Sequence, residues 1–489
     1  MRLPGDGIGG VVGYLDRDSA TCGDVVQAYL AEEAAHASVP VRLAAYRIGW
    51  YRGAGARLVW RSGVAQVTGH PVPSGAAPPH LVSPQWPVTV SVPVGAGWPP
   101  GFYLLLPQGP RRTVVGRAIP LVVRDEGGTE PILFKASTLT WNAYDEWGGW
   151  SLYHGPTGSH AVQVANRARV VALHRPLTGS GYDQMTAMDL PVVHQIEQLA
   201  AEHDLDVAYT TDENVDAEPG QLLRHAEIVS GGHSEYWTAG MYDGLLAAAD
   251  AGVNLVFLGA NNLWWHARLE GGTPGDPVRE VVYRVLAEDP VAATDPAAAT
   301  VEWNSTPLNR DPAAVLGQSH AGIGVRGGLQ LLDPPAWYIA GTGLSERAAL
   351  PGAVGNEADG FDAAARNPAH TQIFAAGVLT GAGAAVLVTN SYSTRPSGAA
   401  VFAAGSTDWA CAPTGQCEDR SIPRATARYV QTMTANVLLA LSAPRAGLTH
   451  PADATAPLTA AYLSARLPAE AIGTYGGAST DEVAHRPHP

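Results

Sequence analysis

Two different apolar rhythms divide the chain. Up to about residue 125, short apolar runs such as VPVRLAAYRIGWY, ARLVW, VTVSVPV, GFYLLLP and AIPLVVR alternate with turns bearing glycine and proline, the pattern of an all-β sandwich. From about residue 130 the period changes. PILFKASTLTWNAY reads as a buried strand that delivers polar aromatic side chains at its carboxyl end, and RARVVALHRP as a strand ending in Arg175-Pro176. LPVVHQIEQLAAEH has apolar residues at helical spacing. DLDVAYTTDEN and AEIVSGGHSEYW follow as strands, MYDGLLAAADAG as a helix stopped by Gly252, and VNLVFLGANN as a further strand. Strands alternating with helices predict a doubly wound, mostly parallel α/β sheet.

At 489 residues the chain exceeds what one core organises. We expect a β-sandwich domain over 1–125 and an α/β catalytic domain over 126–446, with a Pro/Gly-rich β insertion at about 270–365. A flexible tail is expected over 447–489, where Ala, Thr, Pro and His replace periodicity. Ligands of open α/β sheets gather beyond the carboxyl ends of the strands. Successive ends here carry Tyr144, then Tyr209 and Asp212, then His233 and Glu235, then Asn261. Any one of these is explained by packing; four polar clusters at same-side ends point to a site.

Composition narrows the function. A formal net charge of −15 argues against nucleic acid and anionic membrane surfaces, and favours a small neutral or cationic ligand. The opening MRLPGDGIGGVVGYLD has no long apolar segment behind a basic end, so no signal peptide is expected and a cytoplasmic location is. No stretch reaches the length of a membrane span. GDGIGG does not follow a strand and is not a dinucleotide fingerprint. Three cysteines exclude a Cys-only zinc site. Cys411 and Cys417 bracket CAPTGQC, where free thiols are favoured over a short-loop disulfide.

Among chemistries, nucleophilic hydrolysis lacks its Gly-x-Ser-x-Gly elbow. His233 and Glu235, two residues apart after an apolar strand, suit a metal or an ordinary loop network equally well. A tyrosine joins a metal site only as phenolate, which demands a highly charged cation, ferric iron being the usual one.

Six segments in order, YRIGWY (46–51), TWNAY (140–144), GGWSLY (148–153), HRP (174–176), GHSEYW (232–237) and GANNLWW (259–265), together resemble the large (β) subunit of N,N-dimethylformamidase and its relatives, over roughly residues 10–440. The resemblance implies an amidohydrolase with a mononuclear Fe(III) held by Tyr144, Tyr153 and Glu235, its catalytic half doubly wound like a flavodoxin or a class I glutamine amidotransferase. It also implies pocket roles for His233, Asn261 and, from GNEADGFD, Glu357. His233 or Glu357 would act as general base and Asn261 would orient substrate or oxyanion. A small or secondary-metabolite amide is the expected substrate, a neutral tertiary or secondary amide suiting the apolar surroundings of Trp141, Trp147, Trp237 and Trp264. The family enzyme works with a small partner subunit that this chain does not replace, which leaves both such a partner and self-association open. An iron oxygenase and a non-catalytic ligand- or glycan-binding protein are the alternatives on the same scaffold.

Overall fold

A computed structural model describes residues 10–33, 38–272, 278–381, 383–417 and 420–464. Most of GDGIGG and the tail beyond 464 lie outside the described residues.

The amino-terminal strands form two sheets. Val11–Leu15, Val25–Glu32 and Val90–Pro93 make one, antiparallel throughout. The other runs Ser19–Ala20, Ile119–Val123, Gly101–Gln108, Val39–Ile48, Ala56–Arg61, with Ala65–Val67 beside Val39–Ile48. Both sheets contribute to one core of Val26, Leu30, Leu43, Leu105 and Leu121. The strand Gly101–Gln108 is buried at every residue. Its period of two sends Tyr103 and Leu105 into that core and Phe102, Leu104 and Leu106 into the next one. An uninterrupted apolar run therefore marks a strand covered on both faces.

The following unit is built on a nine-stranded sheet. Its strands in chain order are β1 (Ile132–Ala136), β2 (Val207–Thr211), β3 (Glu227–Ser230), β4 (Asn254–Phe257), β5 (Gly327–Leu331), β6 (Ala349–Val354), β7 (His370–Gly381), β8 (Ala384–Thr394) and β9 (Ala400–Ala403). In space they run β2-β1-β3-β4-β9-β8-β7-β5-β6. The helices that matter here are α1 (Thr138–Tyr144), α2 (Leu190–His203), α3 (Ala239–Ala251) and α4 (Arg424–Leu441). Phe134, Val229, Val256 and Phe402 share a core with α2 and α4. Leu133, Ile228, Leu255 and Val401, on the opposite face, share one with α3.

The sheet is mixed, which corrects the expectation of a mostly parallel one. β2, β1, β3, β4 and β9 pair in parallel, whereas β8, β7, β5 and β6 are added antiparallel. The reason lies in the connections. A parallel neighbour needs a crossover of a dozen or more residues, and only residues 382–383 separate β7 from β8. β5 and β6, from the Pro/Gly-rich stretch, extend the sheet at its edge. The carboxyl-terminal stretch also contains a helix, Ala456–Ser464, whose Ala456 and Ala460 pack beside Phe361 and Ile373. Among the described residues no helix is long and apolar enough to cross a membrane.

Arg47 of YRIGWY ties the two units together. Its guanidinium meets Glu197 of α2 twice, at 2.7 and 2.9 Å, and also donates to the Pro100 carbonyl at 3.0 Å. Tyr209, at the register position beside Phe134, donates its hydroxyl to the same carboxylate. Tyr209 is thereby committed to this clamp and not to a ligand site, which corrects its place among the strand-end candidates. Arg47→Ala leaves the Glu197 carboxylate, 12% exposed, without its counter-charge. We expect a loss of about 3 kcal/mol, read as a lowered denaturant midpoint.

Candidate functional site

The polar residues converge beyond the carboxyl ends of β1, β3 and β4. β2 and β3 flank β1 on opposite sides, so the chain leaving β1 and the chain leaving β3 diverge and open a crevice between them.

TWNAY is helical here. α1 follows β1 after one residue and all seven of its side chains are buried, which corrects the expectation of a strand running through Tyr144. Carboxylates from elsewhere satisfy the amides at its start: Asp189 accepts from Ser137 N at 2.9 Å and Asp212 from Leu139 N at 3.0 Å. Asp212 also pairs with buried Lys135, so it anchors α1 and does not join the site. Thr140 Oγ1 in turn accepts from Glu235 N at 3.0 Å, fixing the loop after β3 to this helix.

The chain then reverses through Gly148 and Gly149, at φ +78° and +82°, in the left-handed region where glycine is favoured. Arg175 of HRP holds the reversal from inside. Its Nε ion-pairs with Asp145 at 2.8 Å and its other nitrogens donate to the carbonyls of Asn142, Asp145, Trp147 and Trp150. Tyr153 thus returns against Tyr144, with ring centroids 4.2 Å apart.

Tyr153 donates its hydroxyl to Glu235 Oε2 at 2.6 Å and accepts from Tyr236 at 2.9 Å. Arg284 donates to the Tyr236 hydroxyl and lies 4.1 Å from the centre of the Tyr153 ring. Enclosure, with Glu235 nearby, holds the Tyr144 and Tyr153 phenols well above their ordinary range. In these surroundings neither phenol ionises at neutral pH.

His233 bridges the two acidic members. Its Nε2 lies 3.6 Å from Glu235 and 3.5 Å from Glu357, while Nδ1 meets Gln184 Oε1 at 3.0 Å. Gln184 opens a π-helical turn, Gln184–Asp189, a form that recurs at functional sites. Burial alone would push the imidazole down, but the Glu357 and Glu235 carboxylates raise it to about 9. Conversely, burial would raise Glu357 and the neighbouring His233 brings it down to about 2. His233 and Glu357 therefore stand as a buried cation and anion.

Asn261 follows β4. Its φ of +52° is uncommon for a residue with a side chain, and the loop it belongs to is pressed against the one after β3: a Cβ at Gly259 would fall 1.7 Å from the Gly232 carbonyl oxygen. Asn261 N donates to Asp359 Oδ1 at 2.8 Å and its Nδ2 to Glu357 Oε2 at 2.6 Å. Glu357 and Asp359 sit on the strand Glu357–Gly360, which pairs with Ser319–Ile323 and brings His320 opposite Asp359.

All six candidates, Tyr144, Tyr153, His233, Glu235, Asn261 and Glu357, thus meet in one network. Gln184, Tyr236, Arg284, His320 and Asp359 were not anticipated as members. Asp359 and Tyr236 had a signal, since each neighbours a candidate within two positions; Gln184 and Arg284 had none. The tryptophans divide. Trp237 and Trp141 are core, whereas Trp264 lies 5.2 Å from the His320 ring. Away from the site, Cys411 and Cys417 form a disulfide with Cα atoms 5.3 Å apart, a normal span, which corrects the expectation of free thiols.

No curated protein matches the chain. Among solved structures it is similar to a Paenibacillus sp. cycloisomaltooligosaccharide glucanotransferase complexed with cycloisomaltoheptaose, at 9% identity and a TM-score of 0.20, over 66% of this chain and 62% of that one. The chain so spans less than two thirds of that protein, and a likeness this slight carries no argument. The family model described as N,N-dimethylformamidase beta subunit-like, C-terminal, matches residues 42–419. That span contains every residue of the network above, and the chain belongs to the N,N-dimethylformamidase beta subunit-like family.

Proposed function

We propose that the chain is an amide hydrolase whose pocket holds one ferric ion through Tyr144, Tyr153 and Glu235. The observation that carries this reading is the contact of the Tyr153 hydroxyl with Glu235 at 2.6 Å, with the Tyr144 ring alongside, its centroid 4.2 Å from that of Tyr153. Two phenols that burial keeps protonated, beside a carboxylate, are a set of oxygen donors that only a strongly charged cation would ionise. Three anionic oxygens would then neutralise Fe(III). When bound, the ion supplies Lewis acidity toward an amide carbonyl and water.

The rest of the chemistry belongs to the side chains. Glu357, held by Asn261 and free of its proton, accepts one from water as the water oxygen bonds to the carbonyl carbon. His233, between Glu357 and Glu235, relays that proton to the amide nitrogen as the C–N bond breaks. A carboxylic acid and an amine leave. The β2-β1-β3-β4 order, with helices on both faces, supports assigning the parallel half to the flavodoxin or class I glutamine amidotransferase type, within a chain divided at about 125 and 446. Membership in a beta-subunit-like family supports a small partner subunit, and we place the protein in the cytoplasm.

Metal analysis and visible absorption of wild type and Tyr153→Phe test the proposal. About one iron per chain is expected, with a broad phenolate charge-transfer band that weakens or shifts in the variant. A colourless protein holding zinc or no metal after iron supplementation rejects the ligand assignment.

A further inference from the structure

The hydrogen bonds that lead from Arg284 to Glu235 run one way. A guanidinium only donates, so the Tyr236 hydroxyl accepts from Arg284. Tyr153 gives its proton to Glu235 Oε2 at 2.6 Å, which leaves the proton of Tyr236 to the Tyr153 oxygen at 2.9 Å. Tyr236 is fully buried and Arg284 is 9% exposed, so water scarcely competes for these bonds. A phenol that has lost its proton can only accept, and for Tyr153 the donor is already in place.

The same guanidinium lies over aromatic faces. Its carbon stands 4.1 Å from the centre of the Tyr153 ring and 4.8 Å from that of Trp265. A cation is drawn to the face of a phenol by the ring quadrupole, and more strongly to a phenolate, which carries a full charge. The backbone is committed to this placement. Arg284 has a φ of +65°, uncommon for a residue with a side chain, and its N donates to the Thr300 carbonyl at 2.8 Å. Such conformations persist where the surrounding structure demands them, and they gather at functional sites.

We propose that Arg284 and Tyr236 are positioning residues of the metal site, which act through Tyr153 by stabilising its phenolate and tempering its electron donation, so that the bound ion stays strongly Lewis-acidic. This rests on the ferric reading above and deepens it. Partners of this kind, one bond removed from a metal, set both its affinity and its electronic character. Charge-assisted hydrogen bonds are the strong ones, and one donated to a phenolate oxygen lowers the energy of the electrons that a charge-transfer band moves. Losing it takes that band to longer wavelength.

The test uses the full chain loaded with iron, as wild type, Tyr236→Phe, Arg284→Met, Arg284→Lys and the Tyr236→Phe, Arg284→Met double variant. Competition with citrate gives iron affinity, visible absorption gives the band at equal iron content, and melting of the iron-free proteins reports folding. We expect Tyr236→Phe and Arg284→Met each to weaken iron binding by roughly 10–100-fold, and to move the band to longer wavelength. The double variant should fall within about three-fold of the weaker single one, because the two residues act in series. Arg284→Lys keeps the charge and a donor and should restore most of the affinity. Tyr236→Phe removes one oxygen and little volume, so it decides the matter if Arg284→Met fails to fold. A merely structural role lowers melting temperature and iron content but leaves the band of the iron-bound fraction in place. That result, or affinities within about three-fold of wild type, overturns the inference and leaves the ferric reading standing. A wild type without any iron band overturns both.

Discussion

Glu357→Gln should lower kcat for amide hydrolysis by roughly three orders of magnitude while leaving iron content and the visible band intact. The expectation separates the two carboxylates of the pocket by what surrounds them. Glu235 touches the Tyr153 hydroxyl at 2.6 Å and takes its place with the phenols. Glu357 instead receives Asn261 Nδ2 at 2.6 Å and faces His233 at 3.5 Å, with no phenol among its hydrogen-bond partners. Glutamine keeps the shape and can still accept from Asn261, so the fold of the loop survives. What disappears is the carboxylate that His233 holds down to about 2 and that is therefore ionised at neutral pH. Glu235→Gln is the contrasting variant: it should lose the ion as well as the activity. Iron lost equally from both would place Glu357 among the ligands and undo this division of roles.

The same contrast explains what could be read without a structure. Side chains that act through a local period were legible. The apolar spacing of Leu190–His203 and Ala239–Ala251 gives helices at those positions, and Gly252, at φ +101°, ends the second. Tyr144, His233, Glu235 and Asn261 were legible because they sit in short motifs that follow strands, and those strand ends do gather. Structure that depends on distant partners was not. Nothing local in TLTWNAY announces a helix whose first amides are satisfied by Asp189 and Asp212. Tyr209 sits on a strand as expected, yet its hydroxyl faces Glu197 and Arg47 on the other side of the sheet. Antiparallel β7 and β8 could have been recognised from the short GAG connection between them, a signal outweighed by the alternation that preceded it. Arg284 reaches the Tyr153 ring from a stretch with no motif at all.

Arg175→Met should destabilise the protein by about 3–5 kcal/mol and remove the iron band without touching any proposed ligand. Arg175 and Asp145 are both fully enclosed, and their ion pair lies in the turn between the two tyrosines. Methionine fills the volume of the stem, but it leaves the Asp145 carboxylate without a counter-charge and strands the carbonyls of Asn142, Trp147 and Trp150. The turn that returns Tyr153 to Tyr144 then has no internal brace. The sign of the pH response identifies the cause. Burial raises the Asp145 carboxyl from 3.8 to about 6 even with Arg175 opposing it. A carboxyl raised on folding binds its proton more tightly in the native state, so its contribution favours the fold below 3.8 and is lost as pH rises through about 6. Without Arg175 the native value climbs further and the loss extends to higher pH. The variant's melting temperature should therefore rise on going from pH 8 to pH 6 by more than that of the wild type. Adding Asp145→Asn should recover part of the stability and flatten that dependence, because the uncompensated charge is gone. An Arg175→Met protein whose stability tracks the wild type across this range would show that the brace, and not the buried charge, is what Arg175 supplies.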